Sequence, residues 1–193
     1  MHGAQRDLAI VIVAGGAATR FPGKLEAEVA GEPLLARVYH RLRHVAPTLI
    51  AARGTYAPRL DALLDCPLVV DRWPDRGPLG GLLTAAQQTR AKRVFVAAGD
   101  APEVGAEIVD ALCAAWQAGD EAAVPVHGER LEPLAALYDR EALLREGWAV
   151  LHAERASMHA LLARLNTRRV ALDSRFFVNV NTPNDLHAFA ETT

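Results

Sequence analysis

"IVIVAGGAATRFPGK", Ile10 to Lys24, passes from an unbroken apolar run into paired glycines and then reaches an arginine and a lysine. Together with Leu8 and Ala9 the run is apolar on both faces, as a strand covered by helices on two sides must be. Such a strand belongs to an α/β protein, and "PLLARVYHRLRHV" supplies the crossover helix. Leu34, Leu35, Val38, Tyr39, Leu42 and Val45 fall at helical spacing there, leaving Arg37, Arg41 and Arg43 for the polar side.

Working outward, the same alternation continues. "TLIAA" at 48–52, "PLVVD" at 67–71 and "RVFVAAGD" at 93–100 read as strands, with helical stretches near 58–64, 79–90 and 105–118. Gly119 is placed to end the last of these helices. The pattern then changes to strands "AAVPV" and "PLAALY", helices at 139–146 and 157–165, and strands "RRVAL" and "FFVNV". Thr182-Pro183-Asn184-Asp185 reads as a helix start, with a capping threonine, an early proline and an acid near the positive end of the dipole. The expectation is one α/β domain over residues 1–193, a three-layer Rossmann-like fold on a mostly parallel, mixed sheet.

Composition narrows the function. The 193 residues are 51% hydrophobic, enough for one sizeable core, and a net charge of −2 with scattered Lys and Arg offers no basic field for nucleic acid. Leu8 to Ala14 is too short to span a bilayer, and its charged flanks do not suit a signal peptide. Cys66 and Cys113 stand 47 positions apart without a CxxC, so two thiols in a reducing cytoplasm are expected, with no membrane partner.

Ligands of open α/β sheets bind outside the carboxyl ends of the strands, and those ends carry the unusual residues here. Gly15 and Gly16 let backbone amides approach an anion, with Arg20 and Lys24 supplying charge. The loop is neither GxxxxGK[ST] nor GxGxxG, so both familiar phosphate loops are excluded. Asp100, after Gly99 at the end of "VFVAAGD", is a carboxylate of the kind a magnesium ion takes beside phosphate oxygens. Asp71 ends another strand, and the turn from Gly77 through Pro78 and Leu79 to Gly81 opens a helix whose amino end could face a ligand. Asn179 and Asn181 are spaced to share one face at the end of "FFVNV". Each has a structural alternative as a turn or capping residue. "HRLRH" lacks the glutamate of HExxH, so His40 and His44 do not suggest zinc.

In combination, "VAGGAATRFPGK", "GEPLL", "VVDRW", "GPLGG", "GDAP", "EPLAALY" and "VNVNTPNDL" resemble the GT-A-type nucleotidylyltransferases, most closely the molybdenum cofactor guanylyltransferases, over nearly the whole chain. The resemblance implies transfer of GMP from GTP to the phosphate of molybdenum-bearing molybdopterin, giving the guanine dinucleotide and pyrophosphate. It implies that Val13, Ala14, Gly15 and Gly16 meet the nucleotide through backbone groups, that Arg20 and Lys24 hold the triphosphate, and that Asp71 and Gly77, Pro78 and Leu79 help bind it. Asp100, with Asn181, would ligate Mg²⁺. Glu132, Pro133, Asn179 and Asn181 would face the acceptor, and enzymes that deliver or receive the molybdenum cofactor are the implied partners. Two departures stand out. "RFPGK" is one residue shorter than the family spacer and lacks methionine after the arginine, and "IAARG" stands where relatives often have asparagines. A cytidylyltransferase, or a nucleotide-binding protein without turnover, remains the alternative.

Overall fold

A computed structural model describes residues 7–15, 21–54, 56 and 58–191. In chain order the strands are β1 (Leu8–Val13), β2 (Glu28–Val29), β3 (Glu32–Pro33), β4 (Thr48–Ala52), β5 (Leu68–Val70), β6 (Arg93–Ala98), β7 (Ala122–His127), β8 (Arg130–Leu131), β9 (Leu137–Asp139) and β10 (Thr167–Ala171). The helices are α1 (Leu34–Leu42), α2 (Pro58–Asp61), α3 (Pro78–Ala86), α4 (Ala106–Ala115), α5 (Arg140–Leu151), α6 (Met158–Leu162) and α7 (Pro183–Glu191). The main sheet runs β10-β7-β9-β6-β1-β4-β5, with β8 paired to β7. β9 is antiparallel to both β6 and β7, while β6, β1, β4 and β5 are parallel, so the sheet is mixed but mostly parallel.

The alternation within β1 explains the layers. Ile10 and Ile12 face one core with Leu35, Val38 and Leu42 of α1 and Ile108 and Leu112 of α4. Val11 and Val13 face the other, with Leu79, Leu82 and Leu83 of α3, Leu143 of α5 and Leu161 of α6. Helices therefore cover both faces of one sheet, and the continuous apolar reading of LAIVIV follows from that double burial. At about 25 cal/mol per Å² of apolar surface, burying such side chains contributes roughly 1.5–3 kcal/mol each.

Several sequence expectations need correction. The helix expected over 58–64 closes at Asp61, and the helix of 105–118 ends at Ala115, with Gly119 (φ +89°) in the turn beyond rather than at the cap. In "PLAALY" the regular strand begins only at Leu137, although Val96 N and Ala98 N of β6 still donate to the carbonyls of Ala136 and Leu134. "FFVNV" is not a strand. Ser174–Phe177 forms a 3₁₀ turn, and Val180 donates to the Asp100 carbonyl at 2.9 Å in place of a ladder. Thr182 does cap α7, accepting from Asp185 N at 3.1 Å.

Candidate active site

β1 turns toward β4 on one side, and the chain later returns to place β6 on the other, so the order reverses beside β1. A crevice at the carboxyl ends of strands forms at such a point. Here it is a cavity of about 650 Å³ whose floor is Val13, Ala14, Gly15 and Ala98 and whose walls include Lys24, Asp100, Gly77 and Pro78. A second cavity of about 330 Å³ adjoins it, sharing Ala98, Asp100 and Leu134 and lined further by Glu132, Pro133, Asn179 and Asn181.

The 21–27 segment is a turn held by bonds from Glu26 N and Ala27 N to the Gly23 carbonyl at 2.9 and 3.1 Å. It is fixed to α1, since Leu34 and Leu35 donate to Ala27 and Leu25. Lys24 is thereby aimed across the crevice. Its ammonium donates to Asp100 Oδ2 and lies 3.4 Å from Asn181 Oδ1. Asp100 is held from both sides by its backbone, as Gly99 N donates to Val13 O at 3.0 Å and Val180 N donates to Asp100 O at 2.9 Å. Gly99 leaves room for the core rather than for a ligand, because a Cβ there would lie 3.1 Å from Leu35 Cδ1 and 3.4 Å from Leu25 Cδ2.

Asn181 is presented by the cap of α7. The Asp185 carboxylate accepts from the backbone N–H groups of Asn181 and Thr182, each at 2.9 Å. The Asn181 N–H is the leading cause that holds this carboxyl below the ordinary range. The structure thus brings Lys24, Asp100 and Asn181 together, with Asn179 beside them in the second cavity. Two oxygens already hold one cation, and among the described residues no cluster of three or more His, Cys, Asp or Glu could hold a metal ion. That donor set suits a hard ion that keeps water and phosphate oxygens in its shell, rather than a closed protein cage.

Other expected residues sit differently. Gly16 and Arg20 lie outside the described residues. Asp71 is 7% exposed and turns beneath the start of α3, where Trp73 N donates to its Oδ1 at 2.7 Å. Burial pushes its pKa above the usual carboxylate value, against the lowering effect of that N–H. Leu79 is fully buried in the core below the turn.

Three residues at the nucleotide-sized cavity escaped sequence reasoning. Arg53, after β4, donates from Nη2 to the Pro74 carbonyl and so ties two loops of the cavity together. Tyr56 donates to Ala14 O at 3.2 Å, and burial raises its pKa. Asp75 stands on the same 3₁₀ turn as Pro74. The only available signal was positional: Arg53 follows a strand's carboxyl end, as Asp100 does.

Over residues 10–170 the chain matches the MobA-like NTP transferase domain. It belongs to that family. A probable molybdenum cofactor guanylyltransferase of Natronomonas pharaonis is 34% identical over 94% of this chain and 96% of its own length. A molybdenum cofactor guanylyltransferase of Pseudomonas putida is 32% identical over 92% and 94%. The solved structure of molybdopterin-guanine dinucleotide biosynthesis protein A from Archaeoglobus fulgidus superposes with a TM-score of 0.80 at 25% identity, covering 95% of this chain and 97% of the other. As a MobA-like protein the chain is a nucleotidyltransferase. No helix among its described residues is long and apolar enough to cross a membrane.

Proposed function

We propose that this protein transfers GMP from GTP to the terminal phosphate of molybdenum-bearing molybdopterin, releasing pyrophosphate. The observation that supports it most is the meeting of two cavities at one carboxylate. Asp100 borders both, so a nucleotide in the larger and an acceptor in the smaller would meet beside it.

The reaction joins two anions at the α-phosphorus, and the catalytic task is to orient them and offset their charge. Lys24, with Arg20, holds the triphosphate, while the backbone of Val13, Ala14 and Gly15 and the turn at Gly77 and Pro78 seat the nucleoside. Asn179 and Asn181 position the acceptor phosphate with their amides. Asp100 and Asn181 would hold Mg²⁺, whose charge, once bound, stabilises oxygens of the reacting phosphates. The acceptor phosphate is already an anion, so no side-chain nucleophile is required.

The test is to incubate the full chain with Mg²⁺, molybdate-loaded molybdopterin and either GTP or CTP, and to identify the dinucleotide by mass. Guanine dinucleotide is expected, and Asp100→Ala should abolish its formation while leaving the protein folded. Product from CTP alone overturns the guanine assignment. No product from either, or full activity of the variant, favours a binding protein without turnover.

A further inference from the structure

The main sheet ends at β5, and that edge holds apolar side chains in solvent. Val70 is 58% exposed and Leu68 36%, the first being the most exposed large hydrophobic residue among those described. The two share one face of the strand. Val69 between them turns to the other face and packs on the cores that contain Leu49 and Leu79.

The main chain of Leu68 and Val70 is open as well. Ile50 N donates to Pro67 O at 3.0 Å and Asp71 N donates to Ala52 O at 2.7 Å, so residues 67, 69 and 71 direct their polar groups toward β4. Leu68 and Val70 therefore direct their N–H and C=O groups away from the sheet, where no described strand receives them. Sheet edges are usually blunted by a lysine or a proline. β5 contains no lysine, and Pro67 gives no protection, because its missing N–H belongs to the side that faces β4.

A second copy of the same strand fits this edge. When a two-fold axis passes through Val69, the strands run antiparallel, Leu68 of one copy lies opposite Val70 of the other, and each such pair exchanges both main-chain bonds. The exposed apolar residues of each copy then cover those of its partner. The strand ends also agree in charge. Asp65 precedes β5 and Arg72 follows it, both exposed, so antiparallel pairing brings the acidic end of each copy to the basic end of the other. Parallel addition would set like charges side by side.

We propose that two copies of this protein associate through β5 about such an axis, joining their main sheets into one. The strand has three residues, so the contact is smaller than a permanent interface and the dimer is reversible. The parallel strands of the two copies point in opposite directions, and their crevices therefore open at opposite ends of the joined sheet.

Sedimentation equilibrium of the full chain from about 1 µM to about 1 mM tests this, that being the range in which weak interfaces form. The average mass should rise with concentration from the 20.8 kDa of one chain toward twice that value. Val70→Lys should raise the dissociation constant about a hundredfold, because each dimer contains the change twice at about tenfold apiece, and Leu68→Lys should act alike. With Cys66 and Cys113 replaced by alanine, Val69→Cys should form a disulfide between copies on oxidation, since facing residues at a non-hydrogen-bonded position lie about 4.5 Å apart at Cα. Leu68→Cys, displaced from its own copy along the strand, should not. A wild-type chain that stays monomeric throughout overturns the proposal whatever becomes of the variants. So does a dimer that the lysine variants leave intact, or a disulfide through Leu68→Cys in place of Val69→Cys.

Discussion

The ammonium of Lys24 sits on the two oxygens, Asp100 Oδ2 and Asn181 Oδ1, that the proposed reaction assigns to a metal ion. Side chains of the pair are only 15% and 19% exposed, so neither charge is well solvated and each depends on the other. A lysine so placed keeps the carboxylate compensated before substrate arrives. Under the proposed reaction it would then give up that bond to reach the triphosphate.

Lys24→Met should therefore act in two directions. Turnover should fall about 10²–10³-fold, as when one donor to a reacting oxyanion is lost. In the nucleotide-free protein, however, affinity for Mn²⁺ should rise, because the competing ammonium is gone. Electron paramagnetic resonance of free Mn²⁺ during titration measures this directly. An unchanged or weaker affinity would mean that Lys24 and the metal do not share a seat.

Gly80→Ala should damage both stability and nucleotide binding. An added Cβ would lie 2.4 Å from Trp73 O and 2.9 Å from Trp73 Cβ, so the 73–77 turn must move. The cost should be about 1–3 kcal/mol, the usual range for forced overpacking. Gly54→Ala is the control, since nothing lies within 4 Å of its added Cβ. Thermal melts of both variants, with KM for GTP of the first, should show a lower Tm and raised KM for Gly80→Ala and no change in Tm for Gly54→Ala.

The central strands were legible because LAIVIV and RVFVAA are apolar on both faces, a pattern that local chemistry alone can set. FFVNV is also largely apolar, but a strand also needs a partner edge, and the segment's backbone donors go instead to the turn, from Phe176 N to Asp173 O, and to Asp100 O, from Val180 N. Asp71 and Asp100 look alike as acids at strand ends. What separates them is the chain that follows, since Trp73 N–H and the start of α3 draw the Asp71 carboxylate under the helix, whereas the Asp100 side chain meets Lys24 from 76 residues away. Arg53 had no readable sign of its role, because the partner that defines it, Pro74 O, approaches only in the folded sheet.

Acid should weaken the packing of β10 against the loop before β7 in a defined way. Arg168 grips Asp120 with two bonds, Nε to Oδ2 at 2.5 Å and Nη2 to Oδ1 at 3.0 Å, and Gln117 N adds a third at 2.8 Å. The Arg168 hydrogen bonds are the leading cause that lowers the Asp120 pKa below its ordinary 3.8. A carboxyl lowered in the folded state contributes stability that is present above the unfolded value and is lost as pH falls through the folded one. Asp120→Asn should thus lower Tm at neutral pH, with the gap to wild type closing as the pH falls below the ordinary carboxyl value of 3.8. A gap that stays constant across that window would assign the loss to packing rather than to charge.

Arg53 offers the last prediction, because it shapes the larger cavity, which the proposed function assigns to the nucleotide. Its guanidinium bonds to Pro74 O, next to Asp75, and its stem passes Gly15, whose added Cβ would lie 3.5 Å from Arg53 Cγ. Removing the side chain frees the 73–77 turn and takes a positive charge from the cavity, while the cluster of Lys24, Asp100 and Asn181 is left intact. An interaction made equally in the ground and transition states affects KM and leaves kcat alone. Arg53→Ala should accordingly raise KM for GTP by about tenfold, equivalent to about 1.4 kcal/mol, with kcat little changed. Arg53→Asn, which keeps a hydrogen-bonding side chain without the charge, should recover part of that loss and sharpen the preference for GTP over CTP. Steady-state kinetics with both nucleotides decide it: a fall in kcat with KM constant would place Arg53 in the transfer step instead, and an unchanged GTP-to-CTP ratio in the asparagine variant would remove this position from base selection.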